Sequence, residues 1–342
     1  MVDADARLDL YAAEVEDWAR RLLVDGRGRI SDHLWSRNYA SVEDYLESVD
    51  GRREAWRRVL NPPELTPVGD PGVGSLPGLP GQWLRLEFTN GLTAQGLLVV
   101  PENATRLVVF QHGLGSGPER LFRAGDPDGL YGNVGGMLVE HGYALLAPMN
   151  LAGVARRNRA QSVARLAGTT MEGVEFARFQ ALLGAVGSLA PAVDTSSVAL
   201  AGMSWGGLAA QFWTPLEPRV AVAASLGWFN DRPNKMLVED TRYVTFHDSG
   251  EHHAYLHGHL LGFGDADLAS LICPRPLLIR HGRADAIGWW PQVRDEFARA
   301  RHHWDALGVG ERCQLVLHDE GHVIEPNSLL DFLQTHLPVD RG

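Results

Sequence analysis

With 342 residues, 45% of them hydrophobic and 21% charged, the chain has the composition of an ordinary soluble globular protein and can bury one large core with an appendage. A formal net charge of −11 argues against nucleic acid or an anionic membrane surface as a partner. Two cysteines, Cys273 and Cys313, are too few for a disulfide framework; no apolar run is long enough to span a bilayer and no secretory signal is read, so the expected setting is cytoplasmic.

Along the chain, residues 5–24 and 41–60 carry apolar side chains at helical spacing: Leu10, Val15, Trp18 and Leu22, then Tyr45, Leu46, Val49, Trp56 and Val59. Ser41 and Asp44 supply a capping box for the second helix. Prolines and glycines dominate 61–81, which reads as a linker. Residues 83–88 alternate, Asn90-Gly91 supplies a tight turn, and 96–100 return, which predicts a β-hairpin. Short continuous apolar runs follow at 107–111, 143–147, 198–201, 220–224, 276–279 and 314–317, with helical stretches near 173–190, 205–213 and 289–307. Such alternation predicts an α/β fold with a doubly wound, mostly parallel sheet and ligands at the C-terminal ends of its strands. The expected organisation is a helical segment and linker over 1–80, then one catalytic domain over 81–342. Residues 228–271 are longer than a simple connection needs and are read as a lid-like insertion.

The 198–201 strand runs into Gly202-Met203-Ser204-Trp205-Gly206 and then a helix. Strand, G-x-S-x-G and helix together form a nucleophile elbow, which presents Ser204 Oγ at the edge of the sheet. A serine needs an adjacent base, and the base needs an orienting acid. Asp285 follows the 276–279 strand and His322 follows the 314–317 strand, which gives the order Ser, Asp, His. Asp231, after the 220–224 strand, is the rival acid; Asp319 and Glu320 lie too close to His322 in the chain to brace it. Trp205 N–H, next to the nucleophile, and Leu114 N–H, in the loop His112-Gly113-Leu114-Gly115-Ser116-Gly117, are the expected oxyanion-hole donors.

These residues resemble an α/β-hydrolase of the acetyl-xylan-esterase and dienelactone-hydrolase-like branch from about Trp83 to the C-terminus. His112-Gly113, the elbow and the stretch from Asp267 through Cys273-Pro274-Arg275-Pro276 to Ile279 carry the likeness, and Arg52-Arg53-Glu54-Ala55-Trp56-Arg57 is similar to what precedes the domain in such proteins. The resemblance implies metal-free, cofactor-free serine hydrolysis of a small carboxylic ester or related acyl compound. It departs from dienelactone hydrolases proper, which have a cysteine where this chain has Ser204. Thioesterase, C–C bond hydrolase and acyl-transferring cyclase chemistry are the alternatives on the same fold; a non-catalytic binding protein is the alternative from another class. Trp228, Phe229, Trp289 and Trp290 follow strand ends and are expected to line an apolar substrate pocket. His247, His252, His253, His257 and His259 are read as lid-loop histidines rather than metal ligands, and Arg156, Arg157 and Arg159 as a solvated arginine-rich loop, with a hold on an anionic substrate group as the alternative. A homodimer stays open.

Overall fold

The computed structural model describes residues 3–27, 33–151 and 153–339. The apolar runs become β1 (Gly72–Gly74), β2 (Gln82–Glu87), β3 (Thr93–Val99), β4 (Arg106–Gln111), β5 (Ala144–Pro148), β6 (Asp194–Met203), β7 (Val220–Leu226), β8 (Leu277–Gly282) and β9 (Cys313–His318). They form one sheet in the order β1-β2-β3-β5-β4-β6-β7-β8-β9. From β5 to β9 neighbouring strands run parallel, while β1, β2 and β3 add an antiparallel edge. The hairpin forms as expected, with Glu87 opposite Thr93.

The helices are α1 (Ala4–Arg20), α2 (Val42–Leu60), α3 (Val134–Glu140), α4 (Val154–Leu166), α5 (Met171–Leu189), α6 (Trp205–Trp213), α7 (Arg232–Leu237), α8 (Asp265–Ile272), α9 (Trp290–Ala306) and α10 (Pro326–His336). Because a parallel sheet is covered on both sides, its central strands bury both faces. Leu107, Val109, Leu200 and Ile279 face a core shared with α2, α5, α6, α8 and α9. Val108, Phe110, Ala201 and Leu278 face a second core with α3 and α10.

The N-terminal helices differ sharply. Ser41 Oγ caps α2 by accepting from Asp44 N–H at 3.0 Å. Trp56 of α2 donates its indole N–H to Phe212 O at 2.8 Å, and Tyr45 its hydroxyl to Ser270 O at 2.7 Å. This helix is therefore a wall of the main core. Helix α1 buries none of its residues and leaves Leu8, Tyr11, Val15 and Trp18 exposed. No helix among the described residues is long and apolar enough to cross a membrane.

Two of the lid-loop histidines, and His303 of α9, are core groups. His259 packs between Trp56 and Phe212, with ring centroids 5.3 and 5.4 Å away. His253 packs edge-on to Trp205 at 4.9 Å, and His303 stacks on Tyr39. Burial pushes each of these imidazoles from the ordinary 6.5 down to about 3. They are neutral in both folded and unfolded chains above pH 6.5; below it the unfolded chain takes up their protons first, so stability is lost as pH falls from 6.5 towards 3. Each contributes a slope of about 1.4 kcal/mol per pH unit. Urea melts from pH 7 to 5 should show this decline, and His259→Leu should make it shallower by about one proton. An unchanged slope would show that His259 takes up its proton while folded.

Candidate active site

The chemistry collects where the strand order reverses, at the C-terminal ends of β4, β6 and β7. Ser204 stands between β6 and α6 at φ 57° and ψ −116°, a backbone region that non-glycine residues enter only under constraint. The constraint is close backbone packing. A Cβ on Gly206 would collide with Gln111 O at the end of β4, and one on Gly202 would collide with Gly206 O. Ser204 N–H donates to Leu226 O on β7 at 2.7 Å. Three strands thus fix the serine backbone.

The acid and histidine come from the next two strands. His322 Nδ1–H donates to Asp285 Oδ2 at 2.7 Å, and Asp285 Oδ1 accepts from Ile287 N–H at 2.9 Å. Asp285 is 5% exposed. Burial pushes its carboxyl up, but the bond and charge of His322 and the charge of His281 more than offset this, so it lies below the usual carboxylate range. With Nδ1 carrying the proton, the neutral imidazole has its lone pair on Nε2. The ring rests against Gly227: a Cβ there would lie 3.0 Å from His322 Cε1. Gly227 directly follows the residue that binds Ser204 N–H, so the serine and the histidine converge on the end of β7.

The glycine-rich loop after β4 is also fixed. His112 Nε2 accepts from Asn150 N–H at 3.3 Å, its Nδ1–H donates to Gly113 O at 2.9 Å, and Asn150 Nδ2 donates to His112 O at 2.9 Å. Gly113 N–H donates to Tyr131 Oη at 2.8 Å. Leu114 and Trp205 then share with Ser204 the wall of one cavity of about 80 Å³. As the first residue of α6, Trp205 has an N–H of the kind that lacks an intrahelical acceptor. A larger cavity, about 800 Å³, lies between the 62–71 segment and α5, and has none of Ser204, Asp285 and His322 in its wall. Of those three, Ser204 lines the smaller cavity.

The expected pocket aromatics divide. Trp228 lines the Ser204 cavity, next to Trp205. Phe229 is a core side chain, Trp289 lies under the Arg242 guanidinium at 3.7 Å in a separate cleft, and Trp290 has Arg283 and Arg294 over its ring. The reason is the turn after β8. Asp285 draws Ile287 N–H inward, Lys235 donates to Ile287 O, and Ile287 takes the place in the wall. The cavity is accordingly more polar than expected, with Asn230, Arg232, Lys235, Ser249, Glu251 and His281 in its lining. Sequence reasoning missed these groups. One signal was available: Lys235 is the sole lysine among 31 basic residues and is 5% exposed.

Asp231, the rival acid, caps α7 and pairs with Arg27 at 3.1 Å; Asp319 pairs with Arg283 at the surface. Arg157 is not in a solvated loop but fully buried in α4, donating to both Glu175 oxygens at 2.6 and 2.8 Å and to Glu172 at 3.2 Å. Its guanidinium lies 3.9 Å from the centre of the Trp205 ring, whose indole N–H reaches Glu175 at 3.4 Å. Burial raises both carboxyls, but the bidentate Arg157 pair brings Glu175 below its usual range while Glu172 stays above it. Among the described residues, no group of three or more His, Cys, Asp or Glu side chains is placed to hold a metal ion.

No family model matches the chain, and no curated protein matches it significantly in sequence. Solved structures do match in fold. A glucuronoyl esterase from Solibacter usitatus is 13% identical, with 89% of this chain and 96% of that one covered at a TM-score of 0.63. A family 15 glucuronoyl esterase from Caldicellulosiruptor kristjansonii is 17% identical, with 87% and 86% covered at 0.60. A Bacteroides fragilis protein assigned as an acetyl xylan esterase is 14% identical, with 86% and 80% covered at 0.61. At these identities the likeness establishes the fold, that of the α/β-hydrolases.

Removing Arg157 leaves two buried carboxyls without their cation, which costs about 3–5 kcal/mol. Arg157→Met should lower unfolding stability by that order in urea titrations, and adding Glu175→Gln should recover part of it. A loss below about 1 kcal/mol would show that the pair contributes little behind Trp205.

Proposed function

We propose that this chain, which has the α/β-hydrolase fold, is a serine hydrolase that cleaves a small carboxylic ester. The observation that carries the reading is the 2.7 Å bond between His322 and a buried Asp285, with the His322 ring against Gly227 and Ser204, held at positive φ, bonded through its N–H to the adjoining Leu226 O. Neutral His322 takes the Ser204 proton at Nε2 as Oγ attacks the ester carbonyl. Asp285 holds the imidazole tautomer and stabilises the imidazolium that forms. The oxyanion is met by the N–H groups of Leu114 and Trp205, each worth about 100- to 1,000-fold in rate. Collapse transfers the proton to the leaving alcohol and leaves an acyl group on Ser204. Water, activated by the same histidine, then releases the acid.

The esterase neighbours support an ester rather than a thioester or C–C bond as the substrate. On this reading residues 81–342 are the catalytic domain, the 228–271 insertion is its lid, and no cofactor takes part. Cys273 and Cys313, both buried free thiols, support a cytoplasmic setting.

The experiment is fluorophosphonate labelling combined with hydrolysis of short-chain aryl esters. Ser204→Ala and His322→Ala should each lower kcat/KM by about 10,000-fold or more, with non-additive effects in the double variant. Asp285→Asn should lose no more than either, whereas Asp231→Asn should stay within about threefold of wild type on the reasoning that it contacts Arg27 and the α7 cap. A folded wild-type protein that is not labelled at Ser204 would favour a binding protein instead.

A further inference from the structure

The Ser204 cavity holds a carboxylate that this reaction does not use. Glu251 lies between the turn Phe246–Ser249 and the 3-10 turn His252–Ala254, and lines the cavity together with Ser204, Leu114 and Trp205. Its segment is tied to α4 by the side chains of Asn158 and Gln161, the latter donating to His253 O at 3.1 Å. Asn158 Nδ2 donates to Gly250 O at 2.9 Å, while Asn158 Oδ1 accepts from the His253 backbone N–H at 2.8 Å and from its ring Nδ1–H at 2.9 Å. The position is built, not incidental.

Among the described residues the Glu251 carboxylate accepts no hydrogen bond and forms no ion pair. Burial pushes its carboxyl above the usual range, and the charges of Lys235, Arg232, His322 and Arg157 counter this only in part. Neither Glu251 oxygen is a fully buried atom lacking a partner, so water meets the carboxylate in the free protein and a substrate hydroxyl would take that water's place.

We infer that Glu251 determines specificity by accepting a hydrogen bond from a substrate hydroxyl, so that the cavity takes a short hydroxylated group in preference to its alkyl counterpart. The inference rests on Ser204 being the nucleophile. Two observations favour a hydroxyl over an ammonium group. The cationic side chains that act on Glu251 would repel a second cation in the same space, whereas a neutral donor meets no such cost. The volume, about 80 Å³, admits a few heavy atoms, enough for a hydroxyl on a two- or three-atom chain. A site built around such a bond rejects the analogue that lacks it, because its acceptor is then left unpaired.

Two panels test this in the full chain. The first compares aryl esters of hydroxyacetate, propionate and glycine, which place OH, CH₃ and NH₃⁺ at one position of the acyl group. The second compares the acetates of ethylene glycol and propanol, which move the hydroxyl to the alcohol side. The quantity read is the hydroxyl-to-methyl ratio of kcat/KM in wild type, Glu251→Ala and Glu251→Gln; intrinsic ester reactivity cancels between enzymes. In one panel or the other the wild-type ratio should exceed that of Glu251→Ala by roughly 10- to 100-fold, as expected for a bond to a charged acceptor. Glu251→Gln, which keeps an acceptor oxygen, should fall between. Equal ratios in all three enzymes across both panels would overturn the inference while Ser204 still labels with fluorophosphonate. A Glu251-dependent preference for the glycine ester would overturn it in favour of a cationic substrate. A wild type that neither labels nor turns over any ester would overturn both this inference and the reading beneath it.

Discussion

Everything in the site depends on how closely the backbone of the β6–α6 turn approaches the end of β4. No Cβ fits at Gly206 against Gln111 O, and none fits at Gly202 against Gly206. This contact forces the turn to be sharp, and the sharp turn puts Ser204 at φ 57°. Strain of this kind costs of order 1–3 kcal/mol and persists only where the surroundings over-determine it. Here Ser204 N–H on Leu226 O and the parallel pairing of β6 with both neighbours do so. The same approach brings the loop after β4 beside the start of α6, so one packing contact sets the serine and both proposed oxyanion donors.

A second layer of order lies behind the cavity wall. Arg157, Glu172 and Glu175 form a charged cluster without solvent access, and it grips the Trp205 indole from its face and its N–H edge. Placing ions in a core is costly, and well-packed apolar residues often give equal or greater stability. What such a cluster supplies is direction. Leu151 N–H also binds Glu175, and Gln161 links Glu172 to His253 O, so the loop after β5, helix α5 and the segment that bears Glu251 all refer to one group of charges.

The parallel core and the pairing of Asp285 with His322 were legible in the sequence because each depends on local signals. Buried strands read as apolar runs, and the elbow, the acid and the histidine sit immediately after strand ends. The pocket was not legible. Trp289 and Trp290 start at a strand end, but the direction of a side chain there is set by the turn, through Asp285, Ile287 and Lys235, residues that meet across the fold. Arg157 shows the same limit: its arginine-rich context reads as solvated, and only the two glutamates on the neighbouring helix make its burial tolerable. The histidines at 253 and 259 look like a surface cluster until α2 and α6 are folded over them. In each case the missing information was a partner far away in sequence.

Lys235 carries a consequence of a different kind. It donates to Val244 O and Ile287 O from inside the insertion, and the chain has no other lysine. Amine-acylating reagents therefore meet a surface whose basic side chains are all arginine, with one side-chain target enclosed behind it. Modification of that target requires the ammonium to leave Val244 O and Ile287 O. Counting a single mass increment on Lys235 would follow that release.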